Sequence, residues 1–179
     1  MKILKIILFA VLGIVLLLLL TAIFVKKDLQ AEKEIIINKP KQDVFNYIVL
    51  LKNQQFYGKW NLMDLNAKKE FKGIDGTVGF VYAWQSNNKE VGKGEQEIKA
   101  IDVGNKIDYE LRFLEPFKSV AESYIITETV SDNQTKVKWG FKGSINYPLN
   151  VLKLFFNMDD LIGKDFEKGL NNLKGVLEK

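Results

Sequence analysis

Hydrophobic and polar positions fall into two regimes along this chain. Between Ile6 and Val25 no charge interrupts the sequence, and apart from Ala10, Gly13, Thr21 and Ala22 every position is Ile, Leu, Val or Phe. At about 1.5 Å rise per residue, roughly 20 helical residues span about 30 Å, the thickness of a bilayer's hydrocarbon core. Residues 1–27 are therefore expected to form a single transmembrane anchor with basic flanks. A cleaved signal peptide calls for a shorter apolar region of about 7–15 residues and a small-x-small site. Thr21-Ala22-Ile23-Phe24-Val25 offers no clean pair of small residues two apart. A core helix of a water-soluble domain would carry a polar stripe, which this run lacks.

After a short charged linker, residues 28–33, the pattern changes to that of one folded domain over 34–179. Glu34-Ile35-Ile36-Ile37-Asn38 reads as a strand. Pro40 then stands where a helix can begin, with Val44, Phe45, Ile48 and Leu51 at helical spacing. The stretch from Asn53 to Lys72 mixes aromatic and polar residues and predicts a short helix and a loop. From Thr77 the period becomes two, with turn residues between the runs: Val78–Gln85, Glu90–Ile101, Lys106–Leu114, Ser119–Val130 and Lys136–Ile145. Counting the first, this predicts an antiparallel sheet of about six strands. Between Leu161 and Leu177, Ile162, Phe166, Leu170, Leu173 and Leu177 recur at steps of four and three, an amphipathic helix that needs a partner. Gly163 and Gly169 lie inside it at a cost of about 1 kcal/mol each relative to Ala, which predicts close approach to another backbone, most naturally the sheet's.

Charge alters the picture only at the membrane. The chain holds 26 basic and 22 acidic residues; Lys2, Lys5, Lys26 and Lys27 belong to the anchor, which leaves 22 of each sign in the domain. A neutral domain without a Lys/Arg stripe lacks the surface that displaces counterions from phosphates, so nucleic acid is not an expected partner. The lysines flanking the apolar run nearly balance. A short basic N-terminus before it favours the domain on the non-cytoplasmic side.

The order of strand, helix, antiparallel meander and long closing helix resembles that of the START-related, polyketide-cyclase and birch-pollen-allergen-like superfamily, the SRPBCC proteins. The residues that carry the resemblance are Ile35-Ile36-Ile37-Asn38-Lys39-Pro40-Lys41-Gln42-Asp43-Val44-Phe45-Asn46-Tyr47-Ile48, Lys59-Trp60-Asn61, and the closing run from Gly163 to Lys174. What the resemblance implies is an α+β helix-grip fold, a curved antiparallel sheet around the C-terminal helix, with a cavity between them for a lipid or other hydrophobic small molecule. Large aromatic residues suit a mostly apolar pocket or a plain core. Trp60, Phe80, Tyr82, Trp84, Tyr109, Phe113, Trp139, Phe141 and Phe166 are the lining candidates.

Candidate chemistry is sparse. With no His and no Cys, the chain lacks the commonest general base, the thiolate nucleophile and the usual nitrogen and sulfur metal ligands, and no metal or cofactor is expected. Glu95 or Glu97 beside Tyr82 or Tyr109 would suit acid–base chemistry of the cyclase or dehydratase type, although alternation with apolar residues suits solvated faces better. Asp159-Asp160 fits the start of a helix, where carboxylates complement the dipole. Gly92-Lys93-Gly94 reads as a bulge or bend. Three functions follow in order: a membrane-anchored binding module, a protein-interaction module with a filled core, and an enzyme.

Overall fold

The computed structural model describes residues 2–179. Helix α1 (Lys2–Phe24) is followed after three residues by strand β1 (Asp28–Ile37), helix α2 (Lys41–Ile48), a 3₁₀ turn (Leu51–Phe56) and helix α3 (Lys59–Met63). Six strands come next: β2 (Lys68–Lys72), β3 (Val81–Gln85), β4 (Lys93–Asp102), β5 (Lys106–Glu115), β6 (Ser119–Ser131) and β7 (Gln134–Ser144). A 3₁₀ turn (Leu149–Leu154) then leads into helix α4 (Met158–Leu177).

All seven strands form one antiparallel sheet in the order β1-β7-β6-β5-β4-β3-β2. The sheet thus has one strand more than expected. The addition, β2, is an edge strand of sequence Lys-Lys-Glu-Phe-Lys, largely exposed and without an apolar alternation to announce it. Charged edges of this kind deter pairing with other chains. The expected linker 28–33 is the first half of β1, where Leu29 and Ala31 point into the core and Asp28, Gln30 and Glu32 point outward. β3 starts at Val81 rather than Val78, because Gly76 and Gly79 take φ of +77° and +87° in the turn before it.

Laid flat, seven strands would span about 29 Å, far wider than the one helix they face. Yet Ala31 on β1, Val137 on β7, Ile98 on β4 and Tyr82 on β3 join one core cluster with Phe166, Leu170 and Leu173 of α4. The sheet therefore curves around the helix. Asn157 caps α4, its side chain accepting from the Asp160 backbone N–H at 3.1 Å. Asp159 and Asp160 occupy the first turn, and Asp159 Oδ1 also accepts from the Gln30 backbone N–H at 2.9 Å, pinning the helix start to β1. Two of the three glycines in α4, Gly163 and Gly169, make close approaches, though to side chains and not to another backbone. A Cβ on Gly169 would lie 2.8 Å from Trp139 Cζ3, and one on Gly163 would lie 2.8 Å from Lys33 Cε.

Candidate functional site

Between the sheet and the N-terminal half of α4 lies a cavity of about 350 Å³. Its walls come from elements far apart in sequence. α3 contributes Trp60 and Asn61, β3 Tyr82 and Trp84, β5 Leu111 and Phe113, β7 Trp139 and Phe141, and α4 Ile162 and Phe166. Strand alternation turns these side chains to the concave face, because residues two apart share a face. The rings then touch in sequence. Trp139 stacks on Phe166 with centroids 5.0 Å apart and planes 15° apart, and Trp60 meets the same Phe166 edge-on at 5.8 Å. Trp84 lies between Tyr82, at 5.9 Å, and Phe113, at 6.3 Å. Glycines make room for two of these rings: a Cβ on Gly94 would stand 2.6 Å from Trp84 Cζ2, and Gly169 clears Trp139 as described.

Seven of the nine aromatic residues singled out in the sequence line this cavity: Trp60, Tyr82, Trp84, Phe113, Trp139, Phe141 and Phe166. Phe80 and Tyr109 do not. Both are fully buried in the packed core, Phe80 against Phe71 and Tyr109 near the end of the sheet that α2 and the C-terminal half of α4 fill. Alternation assigns them to the concave face; their position along the strands puts them beyond the cavity.

A few polar groups interrupt the apolar wall. Asn61 Nδ2 donates to the Tyr82 hydroxyl at 2.9 Å, which leaves that hydroxyl's own proton free to donate. Burial pushes the Tyr82 phenol up from its ordinary pKa, partly countered by Asn61, so it stays a neutral donor. Ser123 Oγ donates to the Gly140 carbonyl at 2.8 Å and accepts from Trp139 Nε1 at 3.3 Å, fixing the Trp139 ring. Gln54 and Gln96 are also in the wall, 5% and 4% exposed. Both amides border the cavity and can hydrogen-bond a guest that carries polar atoms. Sequence reasoning missed both, since a lone Gln in a strand or a turn carries no pattern.

The proposed carboxylate and tyrosine pairs are not formed. Glu95 and Glu97 stand on the convex face, where Arg112 binds Glu95 Oε2 at 3.0 Å, Glu97 Oε2 at 2.7 Å and Glu110 Oε1 at 2.5 Å. Hydrogen bonds from Arg112 hold the Glu97 carboxyl below its ordinary pKa. Tyr82 and Tyr109 point to the opposite face. The carboxylates that do border the cavity are at its edge: Glu90 and Glu115 are exposed, and Asp64 accepts from Ser86 Oγ at 2.5 Å and from the Asn66 N–H at 3.0 Å.

No family model matches the sequence and no curated protein emerges as a relative. Solved structures do match. Norcoclaurine synthase from Thalictrum flavum, in complex with dopamine and hydroxybenzaldehyde, superposes with a TM-score of 0.60 at 9% identity over 86% of this chain and 88% of that one. Ara h 8.0201 gives 0.55 at 16% identity over 84% and 97%, and XoxI from Bacillus cereus gives 0.61 at 12% identity over 84% and 96%. The fold is the helix grip. At such low identity the likeness extends to the architecture alone, and the helix-grip frame of this chain carries its own lining residues.

Outside the helix-grip domain, α1 runs from Lys2 to Phe24, contains an 18-residue stretch of mean hydropathy 3.2, and is long and apolar enough to cross a membrane. The domain grips its end. Asn150, fully buried, donates through Nδ2 to the carbonyls of Ala22 at 2.6 Å and Val25 at 2.8 Å, and Lys153 Nζ donates to the Asp28 carbonyl.

Proposed function

We propose that this chain is a membrane-anchored member of the SRPBCC superfamily that binds a hydrophobic small molecule or lipid between its sheet and its C-terminal helix. The observation that carries this reading is the cavity: about 350 Å³, walled by aromatic rings, with the Tyr82 hydroxyl and the amides of Asn61, Gln54 and Gln96 among its polar points and charged side chains at its edge. Volumes of about 300–1,000 Å³ with few convergent polar groups are usual for small-molecule sites. The fold relative that holds dopamine and hydroxybenzaldehyde lends support to a guest in the same frame. Binding fits better than catalysis here, because the carboxylates near the cavity are exposed or already paired.

On the same reading α1 is an uncleaved anchor and the domain stands on the non-cytoplasmic side. Its apolar length and the seating of its last turn against Asn150 favour the anchor, and the lysines before the apolar run favour the side. Removal of α1 would strip that buried amide of both acceptors.

A direct test uses the chain's own tryptophans. All three, Trp60, Trp84 and Trp139, line the cavity. Titration of the full chain in detergent with cis-parinaric acid, a fluorescent fatty acid that accepts energy from Trp, is expected to quench Trp emission saturably at one probe per chain. An unlabelled apolar competitor should reverse the quenching. Unsaturable quenching proportional to probe in the micelle would contradict the reading.

A further inference from the structure

Strand register shows which end of the sheet the cavity opens on. Asp28 of β1 lies opposite Ser144 of β7, and Lys93 of β4 lies opposite Glu115 of β5. The exit of α1, the end of β7, the β5–β6 turn and the start of α4 therefore share one end of the sheet. Val91, Pro116, Phe117 and Ile162, which line the cavity, belong to that end. Only Val25, Lys26 and Lys27 separate α1 from β1, a reach of at most about 10 Å.

The same end exposes an apolar ridge. Leu154 is 55% exposed, Phe155 64%, Phe156 55% and Phe117 66%, with Tyr147 and Leu161 beside them in the chain. These residues have a depth marker. The 3₁₀ turn Leu149–Leu154 that opens the ridge carries Asn150, whose amide reaches the carbonyls of Ala22 and Val25 in and just after the last turn of α1. If α1 crosses a bilayer, that last turn lies at the boundary of hydrocarbon and headgroups, and the ridge is held at the same level. Aromatic and leucine side chains favour that zone, where an apolar face can sink about 5–10 Å.

We infer that the segment from Tyr147 to Leu161, together with Phe117, is a second membrane contact that lies in the interface of the bilayer α1 spans and turns the cavity mouth toward the lipid. The occupant of this face is the bilayer itself. An apolar guest dissolved in the membrane then passes into the cavity without entering water. This inference rests on α1 being an anchor, and the two are separable by experiment.

The chain contains no cysteine, so single spin labels need no background substitutions. Labels are placed at Leu12→Cys, Phe156→Cys, Phe117→Cys and Val103→Cys in the full chain, reconstituted in vesicles of phosphatidylcholine with a minor share of phosphatidylglycerol. Val103, 76% exposed in the β4–β5 turn at the opposite end of the sheet, is the aqueous control. The expected result is an accessibility ratio, oxygen over a water-soluble nickel chelate, several-fold higher at positions 12, 156 and 117 than at 103. Position 12 in lipid with 156 or 117 as aqueous as 103 would overturn the inference and leave the anchor standing. Position 12 in water would overturn both. The three domain labels replace exposed side chains, and unchanged thermal melts of the labelled chains confirm that the readout is depth and not unfolding.

Discussion

Trp139 and Phe166 stack over a gap that one absent methyl group creates. An alanine at 169 would place its Cβ 2.8 Å from Trp139 Cζ3. The gain in helix propensity, about 1 kcal/mol, is then opposed by about 1–3 kcal/mol of overpacking. Gly169→Ala is expected to lower stability by about 1 kcal/mol and to shift Trp emission, whereas Gly175→Ala, with nothing within 4 Å of its Cβ position, is expected to raise stability by up to about 1 kcal/mol. Thermal melts of the two variants, moving in opposite directions, check this. In the sequence these glycines look alike, since helical spacing records which face a residue takes but not what stands opposite. The same limit explains why Tyr109 and Phe80 could be assigned to the concave face and not to the core at its far end. Ionisation is a further test at this scale. Burial raises the phenol of Tyr57 and of Tyr109, and burial with the neighbouring Glu32 carboxylate pushes that of Tyr124 up to about 12. A folded-state pKa above the ordinary value of about 10 means that the folded chain holds these protons more tightly. Tyr124's contribution is complete below about pH 10 and is lost as pH rises through about 12, while those of Tyr57 and Tyr109 are likewise complete below about pH 10 and lost only as pH rises through their own raised values. Tyrosinate absorbance and circular dichroism are expected to change together in one cooperative alkaline step. Smooth ionisation of all six tyrosines near pH 10 with the fold intact would contradict the burial described.

Among elements, those with an apolar alternation were legible and those without it were not. β5 shows Ile107, Tyr109, Leu111 and Phe113 on one face, and α4 carries its stripe through Phe166, Leu170 and Leu173, so both emerge from periodicity alone. β2 offers only Phe71 among charges, and its strand conformation comes from pairing with β3, a tertiary cause. The first half of β1 was masked by its charges. Lys33 takes an inward position in the alternation, and its aliphatic stem lies along α4 where Gly163 leaves space, an amphipathic use of lysine that a charge count hides. The junction of α1 with the domain has no sequence signal either, because it rests on polar side chains, Asn150 and Lys153 of a 3₁₀ turn, that reach backbone carbonyls. Asn150→Ala removes both hydrogen bonds to the carbonyls of Ala22 and Val25. Backbone amides from Val25 to Leu29 are expected to exchange with solvent deuterium roughly tenfold faster, about 1.4 kcal/mol of lost protection, while the exchange of β4 to β6 stays unchanged. Equal acceleration across the sheet would mean that Asn150 supports the whole fold and not the junction.

At the scale of the whole molecule the sheet divides two kinds of surface. Its convex face binds charges to one another, with Arg112 at the centre of three glutamates, and its concave face gathers the aromatic rings. The order of elements in the sequence led to this architecture, while the size of the cavity and the end on which it opens come from packing between residues as distant as Trp60 and Phe166. A cavity that serves a guest should be sensitive to being filled. Leu111→Trp adds bulk to the wall without adding charge, and is expected to weaken cis-parinaric acid binding at least roughly tenfold, about 1.4 kcal/mol, with the melting temperature little changed. Undiminished binding would place the probe elsewhere. The central claim, that the helix-grip cavity holds an apolar molecule, is tested most directly by native mass spectrometry of the full chain released from membranes of the cells that make it. The account expects a reproducible adduct of small-molecule mass on the intact chain, lost on collisional activation and absent from Leu111→Trp. A bare chain mass that persists after incubation with those membranes' lipid extract would contradict it.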